Sequence, residues 1–188
     1  MLAASGELDL HAAGPSVFPA LPADLKSSYA WPPSEQGQHR RSVYLAVKRN
    51  LREPLLEAFD LPDSHDSCSR RDVTTTAPQA LALLNGEWSL ARARAFAGRL
   101  LEETPGDERT LIARAYELAL GRHASESEIA SGEAFLDDQA AIIEERIAGN
   151  APIALPAVAP HGLDFARAAA VVDFCHALLN SNEFLYVD

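Results

Sequence analysis

The sequence predicts a mainly α-helical protein, in which an irregular proline-rich N-terminal segment packs on a bundle of about four or five helices. Three observations support this prediction. Apolar residues recur at helical spacing over the C-terminal two thirds, capping signals precede several of these segments, and the prolines of "GPSVFPALP" and "WPPS" interrupt the N-terminal part. With 188 residues, of which 47% are hydrophobic, the chain is long enough to bury a core.

The charge distribution argues against a nucleic-acid-binding protein. The net charge is −11, and most of the acidic excess lies in residues 72–188, whereas neutralising phosphate groups requires a basic surface. No stretch approaches the roughly 20 apolar residues that cross a bilayer. We therefore expect neither a nucleic-acid partner nor a membrane span.

Residues 1–38 are predicted to form an extended, turn-rich segment, because proline and glycine interrupt any helical period there. Residues 39–76 form a basic segment followed by a polar loop. In "RRSVYLAVKRN", Val43, Leu45 and Val47 alternate as in a strand, although the segment also fits one face of a helix. Both interpretations remain open.

Residues 77–188 are predicted to form the helical bundle. Thr76 precedes Gln79 by three residues, which is the spacing of a capping box, and Pro78 suits a first helical turn. We therefore predict a short helix over about 77–84.

A second helix is predicted after the break signal Asn85-Gly86, over about 87–103. Its inward residues are predicted to be Trp88, Ala91, Ala95 and Phe96. The segment "DERTLIARAYELALGR" predicts a third helix that ends before Gly121.

Two long helices complete the predicted bundle. A capping box of Ser125 and Glu128 opens a helix that runs to about residue 148. Its inward stripe is predicted to be Ile129, Leu136, Ile143 and Ile147. The last helix, over about 163–179, is apolar nearly all round, so we expect it in the middle of the bundle.

The stretch "SHDSCSRRD", residues 64–72, concentrates reactive side chains. Asp60, Asp63 and His65 are weak candidates for a metal site, because carboxylates and imidazole bind cations. Their spacing matches neither a calcium loop nor a two-by-two zinc pattern. The alternative is a solvated loop in which the neighbouring arginines pair with the acids.

Other reactive side chains have a structural and a functional interpretation. Arg40 and Arg41 belong to a run of basic residues, which could clamp a carboxylate or phosphate or could neutralise acids downstream. Asp173 stands three residues before His176, so the two are expected to pair on the last helix. Cys175 beside them is expected to be a buried small hydrophobe.

Several stretches together resemble a known family. In chain order they are "MLAASGELDL", "GPSV", "RRSVYLAVKRN", "LLEAFDLPD", the Cys and Arg of "SCSRR", "TTTAPQALALLN", "RAYELALGR" and "ALLNSNEFLYVD". They resemble the C-terminal half of the planctomycete-type domain of unknown function 1553. That domain occurs in large exported proteins that often carry a cytochrome-c-like segment nearer their N-terminus.

The resemblance implies that residues 1–188 are a single helical domain that forms the C-terminal part of a larger one. Its expected partner is the missing upstream half of the same protein, or another protein. The implied setting is exported or periplasmic, in which a disulfide between Cys68 and Cys175 is permissible. No cofactor is expected in this chain, and haem is expected only on the absent upstream segment. The matching residues that merit testing are Arg40, Arg41, Asp60, Asp63, Cys68, Arg71, Thr75, Thr76, Gln79 and Asn85.

Three functions remain open at this point. The favoured one is non-catalytic: a helical packing or interaction module of a large exported protein. The alternative is an enzyme pocket for metal-assisted or acid/base hydrolysis of an anionic substrate, built in residues 40–79 from the matching residues together with His65. The third is docking of an electron-transfer partner on the acidic C-terminal helices.

Overall fold

The computed structural model describes residues 1–20, 33–48, 52–63, 68–70, 74–158, 162 and 164–186. Within these residues the chain is mainly helical, as predicted, and no strand is present. The seven α-helices are α1 (Pro54–Ala58), α2 (Ala77–Asn85), α3 (Glu87–Glu103), α4 (Glu108–Leu120), α5 (Glu126–Ala148), α6 (Phe165–Leu179) and α7 (Asn182–Leu185). Much of the predicted proline-rich segment, residues 21–32, lies outside the described residues.

The chain divides into two compact units. Unit 1 joins Met1–Glu7 to Leu83–Asp188, and unit 2 comprises Leu8–Ala82. The single domain of 188 residues and its internal boundaries at 38 and 76 stay predictions.

Unit 1 is organised around α6, which packs mainly against α5 and α3. Ala170, Val172, Cys175 and Leu179 are completely buried on it, and ten of its residues are buried in all. Small alanine side chains let the neighbouring helices approach closely, while the larger apolar residues fill the space between them. The prediction that this helix lies in the middle of the bundle is confirmed.

Helix boundaries follow the local signals closely. The Ser125 and Glu128 capping box is complete: Ser125 Oγ accepts from the Glu128 N–H at 3.3 Å, and Glu128 Oε2 accepts from the Ser125 N–H at 2.7 Å. Gly121 ends α4 with φ of 69°, a left-handed conformation that glycine adopts without steric cost. At the start of α2, Gln79 Oε1 accepts from the Thr76 N–H at 3.0 Å, which forms the reciprocal half of the predicted box.

The predicted inward face of α3 is wrong in part. Phe96 is fully buried, but Trp88 is 41% exposed, and Ala91 and Ala95 are only partly buried. The face that packs in the core carries Ser89, Arg92, Ala93, Phe96, Ala97 and Leu100. Two of these residues are polar, so a pattern of apolar residues could not include them.

Local hydrogen bonds for Ser89 and a long-range ion pair for Arg92 explain these buried polar positions. Ser89 Oγ donates to the carbonyl oxygens of Leu83 and Gly86, and Arg92 Nε lies 3.0 Å from Glu7 Oε2. A buried hydroxyl or guanidinium group is tolerated when its polar atoms find partners. On α5, the predicted stripe is buried at Ile129, Leu136 and Ile143, whereas Ile147 in its last turn is 41% exposed.

Unit 2 is built from short irregular pieces. Isolated parallel bridges join Asp9 to Arg40 and Val17 to Leu45, and a 3-10 helix spans Ser42–Tyr44. Over its described residues, 40–48, the segment that fitted both a strand and a helix therefore forms neither a strand nor an α-helix. Val43 and Val47 are 78% and 57% exposed, so their alternation does not mark a buried face.

The described residues contain no helix that is both long and apolar enough to span a bilayer. This agrees with the expectation from the sequence.

The connector after α5 packs against the α3 backbone at Gly98. The Ala157 N–H donates to the Arg94 carbonyl oxygen at 3.0 Å, and a methyl group on Gly98 would lie 2.9 Å from the Val158 carbonyl oxygen. We therefore expect Gly98→Ala to lower the free energy of unfolding by about 1–3 kcal/mol, although alanine favours helices. Urea unfolding followed by circular dichroism measures this change.

Gly149→Ala is the matched control, because Gly149 has φ of −84° and a methyl group there would meet only ordinary contacts at 3.5 Å. Its expected effect is within about 0.5 kcal/mol. Equal stability of the Gly98→Ala variant and the parent would contradict the close packing of the connector.

Candidate functional site

Arg40 ties together the N-terminal segments of unit 2. Its side chain donates from Nη2 to the carbonyl oxygens of His11 at 3.1 Å and Ala13 at 2.5 Å, and from Nη1 to Pro15 at 3.3 Å. The guanidinium carbon also lies 3.7 Å from the centre of the Tyr44 ring. Both Nη atoms and the face of the guanidinium group thus contact the chain itself, whereas the buried Nε has no hydrogen-bond partner among the described residues.

Arg41 shares the same tyrosine but is exposed. Its guanidinium carbon lies 5.8 Å from the Tyr44 ring centre. The Ala13 N–H donates to the Tyr44 hydroxyl at 3.1 Å, and this hydrogen bond, assisted by Arg41 and Arg40, lowers the pKa of Tyr44. Of Arg40 and Arg41, the two arginines predicted to bind an anion, Arg41 is the one whose side chain is exposed to solvent.

Asp60 is the centre of a second group of predicted residues. Its Oδ2 accepts from the Thr74 N–H at 2.7 Å, and its Oδ1 accepts from the Thr74 hydroxyl at 2.8 Å. Gln79, which is 5% exposed, donates from Nε2 to Thr74 Oγ1 at 3.1 Å and accepts from the Thr76 N–H. Asp60, Thr74, Thr76 and Gln79 are called the Asp60 cluster below.

The Asp60 cluster connects the end of α1 to the start of α2. Asp60 itself has φ of 58°, a conformation that is uncommon for residues other than glycine. The sequence did not predict a role for Thr74. The run "TTT" offers three similar hydroxyl groups, and the capping-box spacing selects only Thr76. The chain of donors and acceptors orients the Thr74 hydroxyl toward the Asp60 carboxylate.

The remaining predicted residues are dispersed or lie outside the described residues. Asp63, Cys68, Thr75 and Asn85 are exposed, and Asn85 is the last residue of α2. His65 and Arg71 lie outside the described residues. In the part of the chain that the structure describes, no three side chains of His, Cys, Asp or Glu converge in a way that could hold a metal ion. The metal site of Asp60, Asp63 and His65 therefore stays a prediction.

Both cysteines are free thiols in the structure. Cys175 is completely buried on α6, and burial raises the pKa of its thiol. It packs as a small hydrophobe, as predicted. Cys68 is exposed, and its thiol donates to the Arg70 carbonyl oxygen at 3.1 Å.

Two of the stretches that suggested the family resemblance meet at Arg122, which the sequence analysis did not single out. Arg122 ends "RAYELALGR", and it binds Glu183 of "ALLNSNEFLYVD" through Nε at 2.5 Å and Nη2 at 2.7 Å. It also binds both carboxylate oxygens of Glu128, at 2.7 and 3.0 Å. The arginine therefore links the start of α5 to α7.

The Arg122 ion pairs change how the carboxylates titrate. The Arg122 guanidinium, together with the Ser125 N–H and hydroxyl groups, lowers the pKa of Glu128 to about 2. Arg122 likewise lowers the pKa of Glu183. Both carboxylates thus stay ionised through moderately acidic conditions in the folded protein.

Comparison with known proteins gives one match. A family model described as "Protein of unknown function (DUF1553)" matches residues 1–136. This part of the chain includes Arg40, the Asp60 cluster and Arg122, whereas Glu183 lies beyond it. No curated protein and no solved structure matches the chain.

Arg40→Lys is expected to loosen unit 2 while keeping the charge. Lysine cannot reach several carbonyl groups and cover the Tyr44 ring at once, so the loss should be about 1–3 kcal/mol. Hydrogen exchange read by mass spectrometry should show faster exchange in peptides that cover residues 9–17. Arg41→Lys, at the exposed neighbour, is the control and should leave these rates unchanged. Similar exchange in both variants would contradict the role given to Arg40.

Acid should destabilise unit 1 through the Arg122 ion pairs. The pKa of Glu128 is about 2 in the folded protein, below its ordinary value of 4.5. Its contribution is therefore fully present above pH about 4.5 and is lost as the pH falls toward 2. Urea unfolding at several pH values should show this decline.

Glu128→Gln keeps an acceptor for the capping box but removes the charge. The variant should be less stable than the parent at pH 7, and the difference should shrink as the pH approaches 2. Glu102→Gln is the control, because Glu102 is exposed on α3 and forms no ion pair in the described part of the chain. A constant difference between Glu128→Gln and the parent across this pH range would argue against the assigned ion pair.

Proposed function

Since the chain belongs to the DUF1553 family of proteins of unknown function, as its sequence predicts, we propose that it acts as a helical structural and interaction module. In this proposal it completes a larger, exported and cytochrome-associated protein. The observation that carries the proposal is that the Arg40 side chain contacts its own chain. Of the candidate pocket arginines that the structure describes, Arg40 is the more deeply buried, and its guanidinium group contacts three carbonyl groups and a tyrosine ring of its own chain.

The Asp60 cluster supports the same conclusion. Its carboxylate accepts both hydrogen bonds from Thr74, and Gln79 fixes the Thr74 hydroxyl from the other side. These contacts connect two short helices across a loop. Side-chain hydrogen bonds of this kind stabilise local structure and need no catalytic role. Arg40, Asp60 and Gln79, among the described residues of this range, thus serve to shape unit 2.

Exposed aliphatic side chains of unit 2 provide the surface through which the module would interact. Leu10, Val43 and Val47 are 72%, 78% and 57% exposed. Water contact with several large aliphatic groups is unfavourable, and burying them against another surface stabilises a complex. The partner proposed is the upstream half of the same protein, which the resemblance places before the position of Met1.

Sedimentation velocity over a range of protein concentrations tests this role on the isolated chain. Without its partner, the chain is expected to self-associate through the exposed aliphatic groups. The double variant Val43→Ser, Val47→Ser should weaken self-association by about tenfold or more. Ile142→Ser is the matched control, because Ile142 is 51% exposed on α5 in unit 1. A parent that stays monomeric, or equal effects of the two variants, would refute the proposed surface.

The alternative function is an enzyme pocket in residues 40–79 for an anionic substrate, metal-assisted or acid/base. One observation favours it: Asp60 has a backbone conformation with φ of 58°, and such conformations cluster at functional sites. The oriented Thr74 hydroxyl beside a carboxylate could also take part in proton transfer. In this alternative, Asp60 and Asp63 with His65 hold the cation, and Arg41 receives the anion.

Elemental analysis of chelator-free protein distinguishes the two functions. The interaction module is expected to carry no stoichiometric metal. The metal-assisted pocket requires near-stoichiometric metal in the parent and its loss in the double variant Asp60→Ala, Asp63→Ala. Metal in the parent that is lost in the double variant would favour the enzyme function over the interaction module.

A further inference from the structure

Unit 1 contains a cleft that the proposed function does not use. It has a volume of about 450 Å³ and lies between α3, α5 and α6 beside the connector that follows α5. Its walls are mostly aliphatic, but Arg94, Arg146, Asp173 and His176 also line it. A volume of a few hundred Å³ with an apolar wall and a few polar groups is typical of small-molecule sites.

The two arginines are held in place by the connector. Arg94 donates from Nε to the Leu155 carbonyl oxygen at 2.5 Å, and Arg146 donates from Nη2 to the Pro152 carbonyl oxygen at 2.7 Å. Each guanidinium group has five N–H donors, so four remain on each arginine. Neither arginine forms an ion pair within the described part of the chain. These anchored cations are therefore available to an anion, and little side-chain entropy is lost when one binds.

Asp173 supplies a carboxyl group to the same cleft. It lies half-buried on α6 and accepts no hydrogen bond from the described residues. Burial raises its pKa, and the positive charges of Arg146 and His176 oppose that rise. A half-buried carboxyl group without a hydrogen-bond partner is costly unless a ligand or water provides one.

His176 lies one turn along α6 from Asp173. The expected pairing of these residues is electrostatic, because the His176 hydrogen bond is made elsewhere, between Nε2 and the Leu83 carbonyl oxygen at 3.3 Å. A carbonyl oxygen only accepts, so Nε2 carries the proton in this contact.

We propose that this cleft binds a small organic carboxylate that carries a hydroxyl group and an apolar body. Arg94 and Arg146 hold the carboxylate, Asp173 binds the hydroxyl group, and the aliphatic wall covers the apolar body. The site lies in unit 1, whereas the proposed interaction surface lies in unit 2. Either proposal can therefore fail without the other.

Isothermal titration calorimetry with 3-phenyllactate tests the site, because this 2-hydroxy acid has all three features. Its analogue 3-phenylpropionate lacks the hydroxyl group and should bind more weakly. Arg94→Gln and Arg146→Gln should each weaken phenyllactate binding by about tenfold or more. Arg109→Gln is the control, since Arg109 lies on α4 and pairs with Glu126 outside the cleft. Unchanged binding in both cleft variants would overturn the proposal.

Asp173→Asn tests the hydroxyl contact separately. The variant should lose the preference for phenyllactate over phenylpropionate while still binding both. Tighter binding of N-acetylphenylalanine than of phenyllactate would identify the site as one for a peptide C-terminus and would overturn the assignment to a hydroxy acid.

A measurement on the parent protein avoids any effect of the variants on folding. Phenyllactate should shift the imidazole NMR signals of His176, whereas those of His123, which is exposed at the end of α4, should stay in place. No shift at His176 and no heat of binding at millimolar ligand would overturn the proposal.

Discussion

The burial of α6 is the constraint on which the helical part of this protein depends. Ten of its fifteen residues are buried, so this helix can exist only if other elements surround it. The helices α3 and α5 cover its two sides, and α4 and α7 also contact it or its neighbours. The lengths and caps of the surrounding helices matter because they keep this apolar helix out of water.

Arginine has a consistent structural role in the irregular parts of the chain. Arg40, Arg94, Arg99 and Arg146 all donate to backbone carbonyl oxygens of segments that lack regular hydrogen bonding. Such carbonyl groups need partners when they are removed from water. In this acidic protein, these four arginines therefore stabilise loops and connectors, while seven of the described arginines, Arg99 among them, pair with carboxylates.

The sequence predicted the features that depend on neighbouring residues. The bounds of α3 and the capping box at Ser125 follow from local spacing, which is visible in the chain. The inward position of Trp88 was wrong, because Ser89 lies inward instead, with its hydroxyl bound to the nearby Leu83 and Gly86 carbonyl oxygens. Arg92 gains its partner Glu7 only through a tertiary contact. Thr74 and the other members of the Asp60 cluster are brought together across a loop, and no spacing rule measures that distance. The short helices α1 and α7 contain too few residues to show a period.

The positions of the two thiols make it possible to measure how often the helical core opens. Cys175 is enclosed by the bundle, and its pKa is raised, so a thiol reagent can modify it only after α6 has separated from its neighbours. Cys68 is exposed and gives the rate of the unprotected reaction in the same molecule. The ratio of the two modification rates therefore measures how often the helical core opens under native conditions.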